Sequence, residues 1–293
     1  MKSACASSAM LPGMTATPPV VSVSNKGFSH RRVRVTALAI VMVSLVTAQG
    51  VRAQGQGQGR GRGAPAGPPP TARASAPKDF TGYWVSIVTE HWHLRMLVPP
   101  KGDYSMLPLN PEGRKIADSW ELAKVKAEAD QCKAYGPPAL MRVPGRLNIH
   151  WSDDNTLQLD TDSGMQTRVF RFGGAAQSAG QAPQLQGHSV ASWELQGGRG
   201  RGVPKGVGQL RVRTTNMSGG YLRRNGVPYS ENATLDEYFD TFTEPNGDTW
   251  LVVTAIVTDP RYLTQPYTST VPFKKIPDRQ GWDPTPCKAD EAR

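Results

Sequence analysis

The chain has 293 residues, three cysteines and a formal net charge of +10. Almost all of this charge lies near the N-terminus, because residues 80–293 hold 24 basic against 23 acidic residues. Electrostatic binding to nucleic acid requires basic charge clustered on a folded domain. The charge distribution therefore excludes a strongly basic C-terminal domain, and no nucleic-acid partner is predicted.

The N-terminal residues have the pattern of a secretory signal. A basic stretch at residues 30–34 precedes the uncharged run 35–48, and Ala53 suits cleavage before Gln54. The run has 14 residues, whereas a membrane-spanning helix needs about 20. We therefore predict a signal peptide over residues 1–53, a periplasmic or secreted location, and no transmembrane segment after cleavage.

A stretch almost without large apolar side chains follows the predicted signal. Residues 54–79 consist mainly of glycine, proline, glutamine, alanine and arginine. Such a composition cannot bury enough apolar surface to offset the loss of chain entropy on folding. The sequence therefore predicts a disordered Gly/Pro-rich linker over residues 54–79 and one folded domain over residues 80–293.

Strand-like runs separated by turn residues occupy most of this domain. In residues 210–215 apolar and polar side chains alternate, as in a strand with one buried face. Tight turns such as Pro245-Asn246-Gly247-Asp248 join consecutive runs, and strands joined this tightly are antiparallel. The predicted strands lie near residues 82–89, 92–98, 146–151, 155–161, 166–172, 187–195, 208–215, 234–243, 249–258 and 268–276.

One helix is predicted between the second and third of these strands. Asn110 is a favourable N-cap, Pro111 suits the first helical position, and Glu112 complements the positive helix end. The helix is expected to run to about Ala129. Its expected inner stripe consists of Ile116, Trp120, Ala123 and Ala127.

About ten antiparallel strands with one helix are typical of a closed barrel, because closure leaves no exposed sheet edge. The first strand carries Gly82-Tyr83-Trp84, which is reminiscent of the first strand of lipocalins. The predicted fold is therefore mainly β, an antiparallel calycin or lipocalin-like barrel with one helix on its N-terminal side. A β-sandwich is the alternative. Strands and helices do not alternate, so a parallel α/β sheet is not expected.

Two cysteines lie in the predicted domain, and the third, Cys5, lies in the predicted signal. An even pair in an oxidising compartment favours a disulfide. We therefore predict a bond between Cys132 and Cys287, which would tie the C-terminal end to the region after the helix. Two unpaired thiols are the alternative.

Two short motifs suggest chemistry. His91-x-His93 would place two imidazoles on one strand face, where a metal could bind, but the spacing implies no third ligand. Residues 187–191 resemble a nucleophile elbow, yet no histidine follows Ser189 in the chain. The sequence therefore assigns no catalytic residue, and no metal and no cofactor are predicted.

Polar and aromatic residues on neighbouring predicted strands form a candidate ligand-binding set. Carboxylates pointing into a barrel beside histidine and aromatic rings would make a pocket able to bind a small molecule or carry out acid–base chemistry. A structural hydrogen-bond network or plain surface is the alternative explanation. The set consists of His188, Trp193, Glu194, Tyr229, Glu231 and Glu237.

The order of motifs across residues 80–287 resembles that of a family of uncharacterised exported, β-rich proteins of acidobacteria and proteobacteria. The resemblance implies export and a β-rich domain but no catalytic residue. Members often have histidine at the position of Tyr229. An activity that depends on that histidine is therefore not expected of this chain. The matching segments are Leu109-Asn-Pro-Glu-Gly113, Cys132, Gly187-His-Ser-Val190, Trp193-Glu194, Tyr229-Ser-Glu231, Glu237-Tyr-Phe239, Asp259-Pro260, Tyr262-Leu-Thr-Gln-Pro266 and Cys287.

Three functions remain open at the level of sequence. The leading hypothesis is a periplasmic barrel that binds a small apolar or aromatic ligand. The second is an acid–base enzyme, a hydrolase, isomerase or lyase, that uses Glu and His in a barrel pocket. The third is a structural or interaction module of the cell envelope. A barrel with a lumen of more than about 300 Å³ would favour the first two, and a filled interior would favour the third.

Overall fold

The computed structural model describes residues 68–174, 180–195 and 206–291. The predicted signal peptide and residues 54–67 of the predicted linker lie outside these ranges. In the described part of the chain, no helix is both long and apolar enough to cross a membrane.

Nine strands form a closed barrel in the order β1-β11-β10-β9-β6-β5-β4-β3-β2, and β1 closes it by pairing with both β11 and β2. Two further strands, β7 and β8, form a separate two-stranded sheet. The predicted mainly β, barrel-type fold is thus confirmed. The strands are β1 Gly82–Ser86, β2 Arg146–Asp153, β3 Thr156–Thr161, β4 Thr167–Phe172, β5 His188–Glu194, β6 Gln209–Thr215, β7 Gly220–Arg223, β8 Val227–Tyr229, β9 Thr234–Thr243, β10 Thr249–Thr258 and β11 Tyr267–Ile276.

One neighbouring pair departs from the predicted antiparallel pattern. Strands β4 and β5 run parallel, with Phe170 opposite Ser189. A parallel connection cannot be a tight turn and needs about a dozen residues or more. The long connection over residues 173–187 meets that requirement, whereas the other strand pairs of the barrel are antiparallel.

The helical region differs from the sequence prediction in two ways. The predicted strand at residues 92–98 is wrong, because the amides of Leu94 and Arg95 bond to the carbonyl of His91 and form a helical turn. The predicted helix 110–129 is two helices separated by residues 119–121, and the hydroxyl of Ser119 bonds to the carbonyl of Ile116 at 2.7 Å. The helical segments are α1 Trp92–Arg95, α2 Pro111–Asp118, α3 Leu122–Ala127, a 3-10 turn Asp130–Tyr135 and α4 Pro137–Leu140.

The start of α2 follows the prediction, but its buried face does not. The Asn110 side chain accepts a hydrogen bond from the Gly113 amide at 2.8 Å, as expected of an N-cap. Ala117 is buried, and Val125 is the buried residue of α3. The predicted stripe fails because the break between α2 and α3 changes the phase of the helix. Ile116, Ala123 and Ala127 are exposed as a result, and Trp120 is half-buried.

The barrel interior is filled by side chains. Trp84, Phe170, Phe239 and Phe273 are each 0–1% exposed and belong to one apolar cluster that draws on all nine barrel strands. At one end, Phe80 stacks on Trp193 with ring centroids 5.8 Å apart. The interior is therefore a packed core rather than a ligand lumen of the lipocalin kind.

The folded part begins before the predicted boundary at residue 80. The amide of Ala72 bonds to the side-chain oxygen of Asn155 at 2.9 Å, and its carbonyl accepts a bond from Trp193 Nε1 at 2.9 Å. Lys78 pairs with the carboxylate of Asp240. Residues 71–79 thus lie against the aromatic end of the barrel, although their composition alone predicts disorder.

The C-terminal segment is tied back to the helical region. Cys132 and Cys287 lie at disulfide-bond distance, with Cα atoms 5.1 Å apart, which confirms the predicted pair. Next to this bond, the Lys288 amide donates to the Tyr135 hydroxyl at 3.1 Å.

Candidate functional site

The three predicted site residues on β5 do not point in one direction. Ser189, Ala191 and Trp193 share the inner face of the strand, so His188 and Glu194 lie on the other face. Trp193 packs against Phe172, with ring centroids 4.7 Å apart, and helps close the barrel end. The Glu194 carboxylate accepts a bond from Gln209 at 2.9 Å and lies 3.4 Å from Arg211.

Glu237 points into the barrel, as predicted, but it already has a partner. Its carboxylate oxygens lie 2.8 and 2.5 Å from the two terminal nitrogens of Arg168, and both side chains are completely buried. Arg168 also donates to Thr214, whose hydroxyl contacts Ser189 at 2.8 Å. This buried polar network has a structural explanation, because both oxygens of the Glu237 carboxylate already accept hydrogen bonds from Arg168.

Tyr229 and Glu231 lie outside the barrel, at the two-stranded sheet. The Tyr229 side chain is buried and its hydroxyl has no partner in the described residues, and burial raises its pKa. Glu231 is exposed in the turn that follows. These two residues border a cavity of about 320 Å³, separate from the other four. The six predicted residues therefore do not form one site.

Several matching motifs pack against one another instead. Ser230 donates from its amide and its hydroxyl to the Asp259 carboxylate, at 2.6 and 2.7 Å. The Asn110 amide donates to the Tyr262 carbonyl at 3.0 Å, and a side chain on Gly113 would clash with the same carbonyl. The motifs near residues 110, 230 and 260 thus hold the helices against the barrel.

The strongest candidate site is a cavity of about 450 Å³ at the end of the barrel where β11 begins. This end is opposite the aromatic residues that contact residues 71–80. The volume is in the range of small-molecule sites, about 300–1,000 Å³. The cavity is lined by Glu90, His91, Met106, Pro108, Arg142, Arg223, Gln265, Pro266, Tyr267, Thr268, Ser269 and Thr270.

Arg223 is the unusual member of this lining. It is 6% exposed, and its Nε and Nη1 atoms have no hydrogen-bond partner within the described residues. Burial lowers the pKa of its guanidinium, while Tyr267 and Asp103 act in the opposite direction. A buried guanidinium with free N–H groups is costly unless an acceptor reaches it.

The remaining charges around the cavity do not neutralise Arg223. Glu90 is the acidic residue of the lining, and Arg95 donates to its Oε1 atom at 3.0 Å. Arg142 lies 3.7 Å from the same oxygen. The Glu90 carboxylate thus lies close to two arginines, Arg95 and Arg142, and Arg223 adds a third positive charge. The cavity therefore carries excess positive charge.

A second, smaller cavity adjoins this cluster. Its volume is about 30 Å³, and Arg142 and Arg223 border both cavities. Arg95 and Arg224 complete its cationic side, and the rest of its lining is mainly apolar. Four arginines from three separate segments therefore converge at this end of the barrel.

The loops that border the larger cavity are held in unusual conformations. His91 and Met106 both have positive φ angles, 47° and 63°, which residues with a side chain seldom adopt. Asn225 donates to the carbonyls of Pro100 and Asp103, at 3.0 and 2.9 Å, and so fixes the loop before Met106. Strained residues of this kind concentrate at functional sites.

The sequence prediction missed the arginine cluster. His91, which the sequence offers as a metal candidate, and Gln265-Pro266, which belongs to a matching motif, both line the cavity. His91 lies at the start of helix α1 rather than on a strand face. Among the described residues, no group of three or more His, Cys, Asp or Glu residues is placed to hold a metal ion.

The chain matches no known family model, and no curated protein or solved structure matches it. The resemblance to exported bacterial proteins therefore stays a prediction. The packed barrel and the arginine-lined cavity are the observations from which a function can be proposed.

Proposed function

We propose that this protein is an exported barrel protein that binds a small organic anion in the cavity lined by Arg142 and Arg223. The observation that carries the proposal is the buried Arg223 side chain, two of whose nitrogens have no partner in the part of the chain that the structure describes. A carboxylate or phosphate oxygen supplies the missing acceptor and the missing negative charge together. Hydrogen bonds between such charged groups are about twice as strong as neutral ones.

The packed interior determines where a ligand can bind. Since Trp84, Phe170 and Phe239 fill the barrel, the apolar or aromatic ligand expected inside a lumen has no room there. The cavity at the β11 end is large enough and has a different chemistry, dominated by cationic and hydroxyl-bearing side chains. The proposal keeps small-molecule binding but changes both the place and the class of ligand.

Binding is better supported than acid–base catalysis. Two of the predicted carboxylates pair with arginine: Glu237 with Arg168, and Glu194 with Arg211. The proposal of export rests on the predicted signal and is supported by the Cys132–Cys287 pair, because stable disulfides belong to oxidising compartments.

The test is a thermal-shift and titration series with the oxidised protein and a panel of small carboxylates and phosphates. We expect at least one anion to raise the melting temperature of the wild type and to leave that of Arg223→Met unchanged. Arg213→Gln is the matched control, because Arg213 is exposed and pairs with Asp236 outside the cavity. If no anion stabilises the wild type, the proposal fails and the envelope-module hypothesis takes its place.

A further inference from the structure

We infer that the anion is hydroxylated, an acidic monosaccharide that carries a carboxylate or a phosphate. This inference rests on the proposed anion-binding function and specifies its ligand. It follows from a second part of the cavity wall, which is formed by residues 265–270.

Hydroxyl and amide groups dominate this second wall. Tyr267, Thr268, Ser269 and Thr270 are consecutive residues at the start of β11, and Gln265 precedes them. Thr268 and Thr270 are exposed, whereas Tyr267 and Ser269 are half-buried. Side chains of a strand alternate between its two faces, so Tyr267 and Ser269 share one face and Thr268 and Thr270 the other, where the Thr270 hydroxyl contacts that of Thr254 at 3.1 Å. Residues from both faces line the cavity at this end of the barrel, and a hydroxyl can both donate and accept, which suits a ligand with several hydroxyls of its own.

The backbone of the same segment is open on one side. Residues 267–270 pair with Val257, Ile256, Ala255 and Thr254 of β10. On the other side, the short strand β1 pairs with β11 only over residues Phe273 to Ile276. The segment 267–270 is therefore a local sheet edge within a closed barrel, and a strand edge presents unpaired amides and carbonyls.

This edge adds main-chain donors and acceptors to the side-chain hydroxyls. Edge groups of this kind need polar partners, either water or a ligand. An apolar anion such as a fatty acid would leave them without partners, since the apolar part of the cavity consists only of Met106, Pro108 and Pro266. The ring of an acidic sugar offers hydroxyls to the edge while its acidic group faces Arg223.

The volume agrees with a monosaccharide. At about 450 Å³ the cavity lies in the lower half of the range for small-molecule sites. The acidic group supplies the acceptor for Arg223, and the hydroxyls supply partners for the β11 edge. The acidic group and the hydroxyls of the ligand thus each bind a different set of polar groups of the protein.

The test is calorimetric titration of the oxidised protein with three groups of probes. Glucuronate, galacturonate and glucose 6-phosphate are hydroxylated anions; benzoate and hexanoate are anions without hydroxyls; glucose is hydroxylated and neutral. We expect at least one hydroxylated anion to bind tenfold or more tightly than benzoate and hexanoate, with no measurable binding of glucose. The uronates and the sugar phosphate separate a carboxylate from a phosphate preference.

A double variant, Thr268→Val with Ser269→Ala, removes two hydroxyls from the wall. It should weaken the best acidic sugar about tenfold and leave benzoate unaffected, whereas Thr243→Val, at the end of β9 and outside the cavity lining, should change neither. If benzoate or hexanoate binds as tightly as every acidic sugar, the hydroxylated ligand is refuted while anion binding stands. If none of the charged probes binds, both proposals fail.

Discussion

Arg95 donates to both carboxylate oxygens of Glu90, at 3.0 and 3.3 Å, on the wall of the arginine-lined cavity. The Arg95 side chain is 1% exposed, so Glu90 is its necessary counter-charge. Because this carboxylate serves Arg95 and lies near Arg142, it does not neutralise Arg223, on which Asp103 is the acid that acts. The relationship explains how one cavity holds a satisfied and an unsatisfied arginine side by side.

Replacing Glu90 with glutamine should lower stability and strengthen anion binding. The substitution leaves Arg95 buried without its counter-charge, which costs about 2–4 kcal/mol in unfolding free energy. It also removes the negative charge that competes with a bound anion, so affinity should rise several-fold. Urea unfolding and titration of the same preparation measure both effects, and weaker binding by Glu90→Gln would contradict the assignment of charges.

Replacing Arg223 with methionine should have the opposite two effects. In the ligand-free protein the variant removes a buried charge with unpartnered N–H groups and should raise the unfolding free energy by about 1 kcal/mol. It should also abolish stabilisation by anions. A variant that is destabilised by several kcal/mol would show that Arg223 has stabilising protein partners beyond Tyr267.

The buried pair inside the barrel predicts strong coupling between Arg168 and Glu237. Removing one partner, as in Glu237→Leu, should cost about 3–5 kcal/mol because the other charge stays buried and unpaired. The double variant Arg168→Met/Glu237→Leu should recover most of that loss. A double-mutant cycle by chemical denaturation measures the coupling energy. If the two single losses of unfolding free energy simply add, the pairing of Arg168 with Glu237 is contradicted.

The Cys132–Cys287 bond should make a large contribution to stability. It closes a loop with a sequence separation of 155 residues, for which loop entropy predicts at most about 5 kcal/mol. We expect the Cys132→Ser/Cys287→Ser variant to lose about 2–5 kcal/mol in denaturant unfolding. Peptide mapping of the wild type under non-reducing conditions should recover the two cysteines in one linked fragment.

Tyr104 predicts a loss of stability at alkaline pH. Burial, together with the 2.8 Å hydrogen bond from its hydroxyl to Asp118, raises its pKa from 10.0 to about 12. Since the folded protein holds this proton more tightly than the unfolded chain, the contribution is complete below pH 10 and disappears as pH rises towards 12. Tyr104→Phe should cost about 1 kcal/mol at pH 8. At pH 11 the difference should be smaller or reversed, and a constant difference at both pH values would contradict the shift.

The nine barrel strands could be predicted from sequence because their signals are local, whereas the short strands β7 and β8 were not predicted. Alternation in residues 210–215 and turn residues such as Asn246 and Gly247 mark β6 and the hairpin between β9 and β10. The local pattern did not predict where helix α2 ends, because a single hydrogen bond marks that end. The Ser119 hydroxyl bonds to the Ile116 carbonyl where α2 ends, in the middle of the predicted helix, and periodicity does not register such a break.

The arginine site could not be predicted in the same way. Arg95, Arg142 and Arg223 come from three distant segments and meet only in the folded chain. Arginine is ordinarily exposed, so no local pattern marks Arg95 and Arg223 as the residues of this cluster whose side chains are buried. The six residues proposed from their strand positions do not form one site for a related reason. The predicted strands indicated neither which side chains point into the barrel nor that side chains fill its interior.

The most direct test of anion binding at Arg223 is the side-chain 15N spectrum of arginine during a titration with glucuronate or glucose 6-phosphate. The Arg223 Nε–H signal is identified by its absence from the Arg223→Met variant. We predict that this signal shifts in a saturable manner and that the signal of the exposed Arg213 does not. An Arg223 signal that stays in place at saturating concentrations of both probes and of benzoate would contradict the account.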